Sequence, residues 1–389
     1  MVFTKGCVST RADAREQAPE PADHAIRQRD TQARNPPNET TPATRDNKPK
    51  VDSSDRTIFQ STPLPTIAAT PRARHAWAHN DAPRAPKSTA GAAETETVLL
   101  ILQILVAGIA LGCVYGLIAL GFVLIYKATE TVNFAQGELM MLGAFICLAC
   151  MGPLGMPFWL AAVAAVGAMA LVGLGLERAV IRPVLGQPAF SIVMLTIGVG
   201  YVARGGVTMI PGIGTDTHTL DAPYKGEAIG LGGLVLAGEQ IVIIGATAAL
   251  CAGLWLLFRF TRVGVAMQAS SQNQLAAYYM GIPVQRLNGL VWALAAAVAT
   301  VAGILLAPIT FVHVNMGFIG LKAFPAAIIG GFSSLPGAIV GGLVIGVVEA
   351  LSGFYLPEGF KDVMPYIVVL LMLAVRPTGL FGDRARKKV

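Results

Sequence analysis

The chain has 389 residues, 54% of them hydrophobic and 13% charged, with a formal net charge of +6. These averages hide two unlike parts. Residues 1–97 hold 14 of the 29 Lys and Arg, 12 of the 23 acids and 11 of the 24 prolines; the other 292 residues hold 15 basic and 11 acidic ones. Since about 20 apolar residues cross the hydrocarbon core as a helix, the second part reads as a polytopic membrane protein. Its basic residues sit at loops and at the C-terminus, which excludes a nucleic-acid-binding stripe. The five cysteines show no metal-ligand spacing, and Cys147 and Cys150 read as small packing residues.

Residues 1–97 are rich in Pro, Arg, Asp, Thr and Ala and cannot bury a core. Two readings stand for them: a disordered extension, or residues upstream of a true start near Val98, since no methionine occurs between Met1 and Met140. Nine apolar segments follow, at about 99–126, 138–152, 157–176, 190–210, 239–258, 287–311, 323–333, 337–356 and 362–375. They predict an all-α transmembrane bundle of eight or nine segments, some short or broken. The first is long enough to cross tilted, or to break near Gly112–Gly116 as a hairpin of two short spans.

Charge predicts the orientation. Arg178 and Arg182, then Arg259 and Arg262, then Arg376, Arg384, Arg386, Lys387 and Lys388 follow the third, fifth and last segments, which places those ends and the basic tail 384–389 in the cytoplasm. The Gly-rich loop 211–238, with one basic residue, falls on the opposite side.

Two stretches break the apolar rule. In Thr129–Phe145, Asn133, Gln136 and Glu138 stand where a helix enters the bilayer. A buried acid costs about 2.5–3.5 kcal/mol at a helix centre, so Glu138 is expected near a helix end or facing a wet cavity. In Val312–Pro325 stand His313, Asn315 and Lys322. Val132-Asn133 and Val314-Asn315 both precede a glycine and a small-residue apolar segment, a weak internal repeat consistent with two related halves around a central site. Asn133, Gln136, Glu138, Asn315 and Lys322 are candidates to line a pathway; the asparagines also read as helix N-caps, and Lys322 as pairing with an acid or snorkelling. Arg204 is expected near the outer end of its segment.

Between the fifth and sixth segments lies the polar loop 259–286. Its second half reads as a short amphipathic helix with Met267, Leu275, Tyr278, Tyr279 and Ile282 near one face, stopped by Gly281 and Pro283. A helix without a cationic stripe suits a cytoplasmic partner better than lipid headgroups. No GxxxxGK[ST] occurs, nor any Gly-Lys dipeptide, and there is no HExxH or GxSxG. With few membrane acids for a proton relay, these absences point to transport driven by an external motor, with no bond chemistry or cofactor in this chain.

Several stretches together resemble one family. YGLIALGFVLIYKATETVNFAQGELMMLGAF (115–145), the loop ending in Gly281-Ile282, AFPAAIIGGFSSLPGAIVGGLVIGVVEAL (323–351) and RPTGLFG (376–382) are similar to the permease of branched-chain amino acid ABC importers, the LivH type. The likeness covers about 98–383. It implies an inner-membrane importer of branched-chain or other hydrophobic amino acids. Its partners would be two ATPases, a second related permease and a periplasmic binding protein. Residues 266–282 would be the coupling loop, with Asn273 and Gly281 at characteristic positions and Leu275 to Tyr279 docking into the ATPase. Gln268 and Gln272 stand where the wider motif carries an acid, which argues against ionic docking. Alternatives left open are a permease for urea, short amides or aromatic acids, and an ion-coupled secondary transporter.

Overall fold

A computed structural model describes residues 90–382 apart from 232 and 233. The basic tail at 384–389 lies outside the described residues, as does the expected extension up to residue 89. Residues 90–97 do not belong to that extension: helix α1 runs from Ala90 to Thr129, because AGAAETET supplies helix formers and no proline stops it. This helix is one unbroken rod of 40 residues, so neither a break at Gly112–Gly116 nor a hairpin occurs.

Ten more α-helices follow among the described residues: α2 (Gln136–Met151), α3 (Phe158–Leu176), α4 (Ala189–Thr208), α5 (Gly238–Phe260), α6 (Arg262–Gln272), α7 (Gln274–Tyr279), α8 (Val284–Thr310), α9 (Ile319–Gly330), α10 (Leu335–Tyr355) and α11 (Phe360–Val375). Every apolar segment of the sequence is one of these helices. Six, namely α1, α3, α4, α5, α8 and α10, are long and apolar enough to cross a membrane. A hairpin of β1 (Ala228–Leu231) and β2 (Leu234–Ala237) interrupts the helices. Trp159, Leu171, Phe190, Val202, Trp255 and Leu370 point outward, as expected of a surface covered by lipid or a neighbouring subunit.

The two halves form an inverted pair. Helices α1–α4 and α8–α11 follow in the same order, and α5–α7 join them. The closest-packed helix pairs are α1 with α10 and α3 with α8, which exchange when the halves are exchanged. In each half a non-glycine residue with positive φ ends the first helix, Glu130 (φ 54) after α1 and Phe311 (φ 63) after α8. Such a conformation costs on the order of 1–3 kcal/mol, so its recurrence marks a shared backbone device.

Small residues set the packing. Gly108, Gly112 and Gly116 of α1 face Gly342, Gly346 and Ala350 of α10, the two helices running antiparallel. A Cβ on Gly346 would run into the backbone of Gly112, so the sequence needs glycine there for the backbones to meet. Gly112 and Gly116 are the glycines that were candidates for a break; α1 runs through both as continuous helix.

The bundle has two distinct ends. At one, Gln274 Nε2 donates to Ala128 O at 2.7 Å, Arg182 Nη2 donates to Gln285 O at 3.3 Å, and the Tyr126 and Phe332 rings lie 4.9 Å apart. The motif RPTGLFG closes this end: Leu380 and Phe381 N–H donate to Ile329 and Gly330 O at 2.7 and 3.2 Å, satisfying carbonyls left free where α9 stops. Lys127, Arg182, Arg259, Arg262, Arg286 and Arg376 gather at this basic end. At the other, residues 209–231 and 234–237 lie by the helix ends; Tyr224 packs on Phe158 with ring centroids 5.7 Å apart, and burial pushes its phenol up to about 12.

Candidate translocation site

The site begins where α1 stops. Thr129 Oγ1 donates to Ile125 O at 2.9 Å and lies 2.7 Å from Thr131 Oγ1, and Glu130 turns the chain back into the bundle. Residues 131–135 are unwound, so their N–H groups need partners. Phe134 N–H donates to Thr196 Oγ1 of α4 at 3.2 Å, and Ala135 N–H to Asn133 Oδ1 at 3.1 Å. Asn133 Nδ2 donates to Gln136 Oε1 at 3.3 Å, and Gln136 Nε2 donates to Ala295 O of α8 at 3.1 Å. Asn133 and Gln136 are fully buried. They pin the break and do not face open space. The N-cap position of α2 is Ala135, without a side-chain cap bond, so Asn133 acts as a local turn former two residues from that N–H.

The second break follows α8. His218 and Val312 exchange backbone hydrogen bonds at 2.9 and 2.8 Å, a two-residue β-bridge to the loop 209–237. A 3₁₀ turn, Val314–Phe318, then leads into α9. The N-cap residue is His313, so the expectation of Asn315 as a cap is corrected: Asn315 sits inside the 3₁₀ turn and is exposed. The repeat thus preserves the backbone device and not the role of the asparagine.

The two breaks meet at glycines. A Cβ on Gly137 would strike Gly317 O, and one on Gly320 would strike Gly137 Cα. Beside this contact lies a cavity of 190 Å³ lined by Phe134, Gly137, Glu138, Ile197, Gly200, Tyr201, Arg204, Gly317, Phe318 and Leu321. Glu138 and Arg204 face each other as an ion pair, with Arg204 Nη2 to Glu138 Oε1 and Arg204 Nε to Glu138 Oε2, the latter at 3.4 Å. The Arg204 guanidinium also lies 3.9 Å from the centre of the Phe318 ring. The arrangement offers one negative and one positive group in an otherwise apolar space.

Of the five polar residues singled out in the breaks, only Glu138 lines this cavity. Lys322 packs elsewhere, bonding Glu349 Oε1 of α10 at 3.2 Å and Asp362 Oδ1 of α11 at 2.5 Å. Arg204, four residues before the end of α4, stands near that helix end as expected, but its pairing was not legible. The available signal was a lone arginine in an apolar segment, which demands a partner acid.

The loop 259–286 forms two helices instead of one. Asn273 divides them, its Oδ1 accepting from Ala276 N–H at 2.9 Å as the N-cap of α7. Gly281 (φ 81) ends α7 in a Schellman arrangement, with Gly281 N–H to Tyr278 O and Ile282 N–H to Ala277 O, each 3.0 Å. The break separates residues expected on one face. Met267, on α6, turns into the bundle and is buried, while Leu275, Tyr278 and Tyr279 stand 63, 64 and 77% exposed on α7.

The comparisons with known proteins agree with this architecture. The family described as "Branched-chain amino acid transport system / permease component" matches residues 104–373. The high-affinity branched-chain amino acid transport system permease protein LivH of Escherichia coli K12 is 32% identical over 310 residues, covering 76% of this chain and all of the relative. BraD of Pseudomonas aeruginosa, a protein of the same description, is 32% identical over 74% of this chain and 98% of its own length. A probable LivH of Methanocaldococcus jannaschii is 29% identical over 68% of the chain and 88% of the relative. No solved structure matches. A helical bundle with two broken helices at an ion-paired cavity, matched by this family over most of its membrane part, is a multi-pass transport subunit, and the chain belongs to the permease family of branched-chain amino acid transport systems.

Proposed function

We propose that the chain is one permease of an ATP-driven importer of branched-chain amino acids in a bacterial inner membrane, with its basic end and C-terminus in the cytoplasm. The observation that carries this is the cavity at which both breaks converge: mostly apolar side chains around one carboxylate and one guanidinium. Broken helices at a repeat interface are where transporters hold solutes. The positive-inside rule supports the orientation.

The intramembrane acids favour an external motor. Glu138 is paired with Arg204, and Glu349 with Lys322; Glu177, at the basic end, is paired with Arg182. No free acid is left among these for a proton relay. The motor would be a pair of ATPases docking on α7 from below, through Leu275, Tyr278, Tyr279 and the adjoining Met280, which is 83% exposed. With Gln268 and Gln272 in place of an acid on the preceding helix, this contact is uncharged. A second, related permease would complete the pathway. A periplasmic binding protein would deliver substrate to the end covered by residues 209–237. The chain itself makes and breaks no bonds.

The test is leucine uptake by the assembled transporter. ATP depletion should abolish uptake and a protonophore should not; the reverse pattern would sink the reading. Replacing Leu275, Tyr278 and Tyr279 with Asp should leave the permease folded and ATP hydrolysis no longer coupled to uptake. Normal uptake by that variant would remove α7 from the docking role.

A further inference from the structure

The ion pair in the cavity is an expensive feature. Charges held away from water are costly, and a buried pair is commonly replaced by apolar residues without loss of stability. Packing alone therefore gives no reason to keep it. The pair is also not sealed: its side chains are 15 and 14% exposed, and both residues line the cavity. Room for the carboxylate is built in by glycine. A Cβ on Gly317 would strike the Glu138 oxygens, and one on Gly200 would come within 3.1 Å of its Cγ. The Phe318 ring lies beside the guanidinium, whose fork can donate two parallel hydrogen bonds to a carboxylate.

We propose that Glu138 and Arg204 are the two poles of a subsite for a zwitterionic α-amino acid, Glu138 receiving the ammonium group and Arg204 the carboxylate. The proposal rests on the importer reading above and names where that importer holds its cargo. Without substrate the poles satisfy each other. A zwitterion entering between them exchanges one ion pair for two and leaves no charge unpaired. Its apolar side chain then lies against Ile197, Tyr201 and Leu321. A cationic or anionic amino acid would match both poles and leave its side-chain charge unpaired against Ile197, Tyr201 and Leu321, so the site discriminates against both. Glu138 and Arg204 are thus binding and specificity residues, and the pair doubles as the closed state of the empty site.

The experiment uses the complete complex, reconstituted in liposomes with its ATPases, second permease and binding protein, and radiolabelled leucine. Glu138→Gln and Arg204→Gln should each lower uptake at least tenfold (about 1.4 kcal/mol) while assembly and ATP hydrolysis persist. The double variant Glu138→Leu/Arg204→Met restores apolar packing without the poles and should remain inactive in uptake. Uptake by this double variant above half the unaltered rate would overturn the subsite and leave the importer reading standing. An unaltered complex that assembles and hydrolyses ATP without moving leucine would overturn that reading, and the subsite with it. A second measurement covers variants that do not assemble. In a Leu321→Cys chain, leucine should slow modification of the new thiol by a charged thiol reagent severalfold, and neither 4-methylpentanoate nor 3-methylbutylamine should. Equal protection by the compounds lacking one pole, or none by leucine, would overturn the proposal.

Discussion

The two breaks in the helices share a backbone plan and differ in almost everything else. Each follows a long helix ended by a non-glycine residue at positive φ, and each leads into a short helix. The first is held by side chains: Asn133, Gln136 and Thr196 satisfy its free backbone and one another. The second is held by main chain, through the bridge of Val312 to His218. Their charges are opposite. The first carries an acid, Glu138, matched by a base on α4; the second carries a base, Lys322, matched by acids on α10 and α11. One ion pair lines a cavity and the other fills a helix junction. Inverted repeats therefore conserve the path of the chain, while each copy finds its own way of satisfying the groups that path exposes.

Four perturbations test that division, from the largest effect to the smallest. Gly320→Val drives a side chain into Gly137 at the point where the breaks touch, and should leave little folded permease in membrane extracts. Gly245→Val on α5, where a Cβ would meet nothing, is the matched control and should accumulate normally. Accumulation of the Gly320 variant at the control's level would mean that the breaks do not depend on this contact.

Next comes the second cluster. Lys322→Met leaves the nearly buried Glu349 unpaired and should cost about 3–5 kcal/mol, seen as a lower unfolding temperature in detergent. Pairing it with Glu349→Leu should recover most of the loss together with uptake. If the double variant is stable yet inactive, the second cluster serves transport as proposed for the first, and the contrast between them fails.

The asparagines give the finer comparison. Asn133→Ala removes an acceptor from a buried N–H and a donor from Gln136, a loss of about 1–3 kcal/mol. Asn315→Ala, on an exposed side chain, should change thermal stability by no more than about 0.5 kcal/mol. Equal effects at the two positions would restore them as equivalents in the repeat.

Much of this was legible before any coordinates. All nine apolar segments are helices, and for the six that can cross a bilayer length and hydropathy alone decide it. The stop at Gly281 was legible because a Schellman ending needs positive φ, and glycine adopts it without strain. The single amphipathic face of the loop 259–286 was not, because periodicity counted through Asn273 as though the helix continued, whereas that side chain caps a new one. Residues 90–97 were assigned to the tail on charge and composition, although their local propensity was helical.

The sequence by itself determined the class of the molecule, the order of its helices, the location of both breaks and the end that gathers positive charge. Each follows from a local rule: apolar length, helix-breaking chemistry, or charge beside a span. Only the tertiary structure decided which polar residues face open space. Asn133, Gln136, Glu138 and Lys322 look alike along the chain, as polar groups in apolar surroundings. Their roles depend on partners found across the bundle, 66 residues away for Glu138 and Arg204, 159 for Gln136 and Ala295. A buried polar group takes its function from what satisfies it, and that is fixed when distant helices pack.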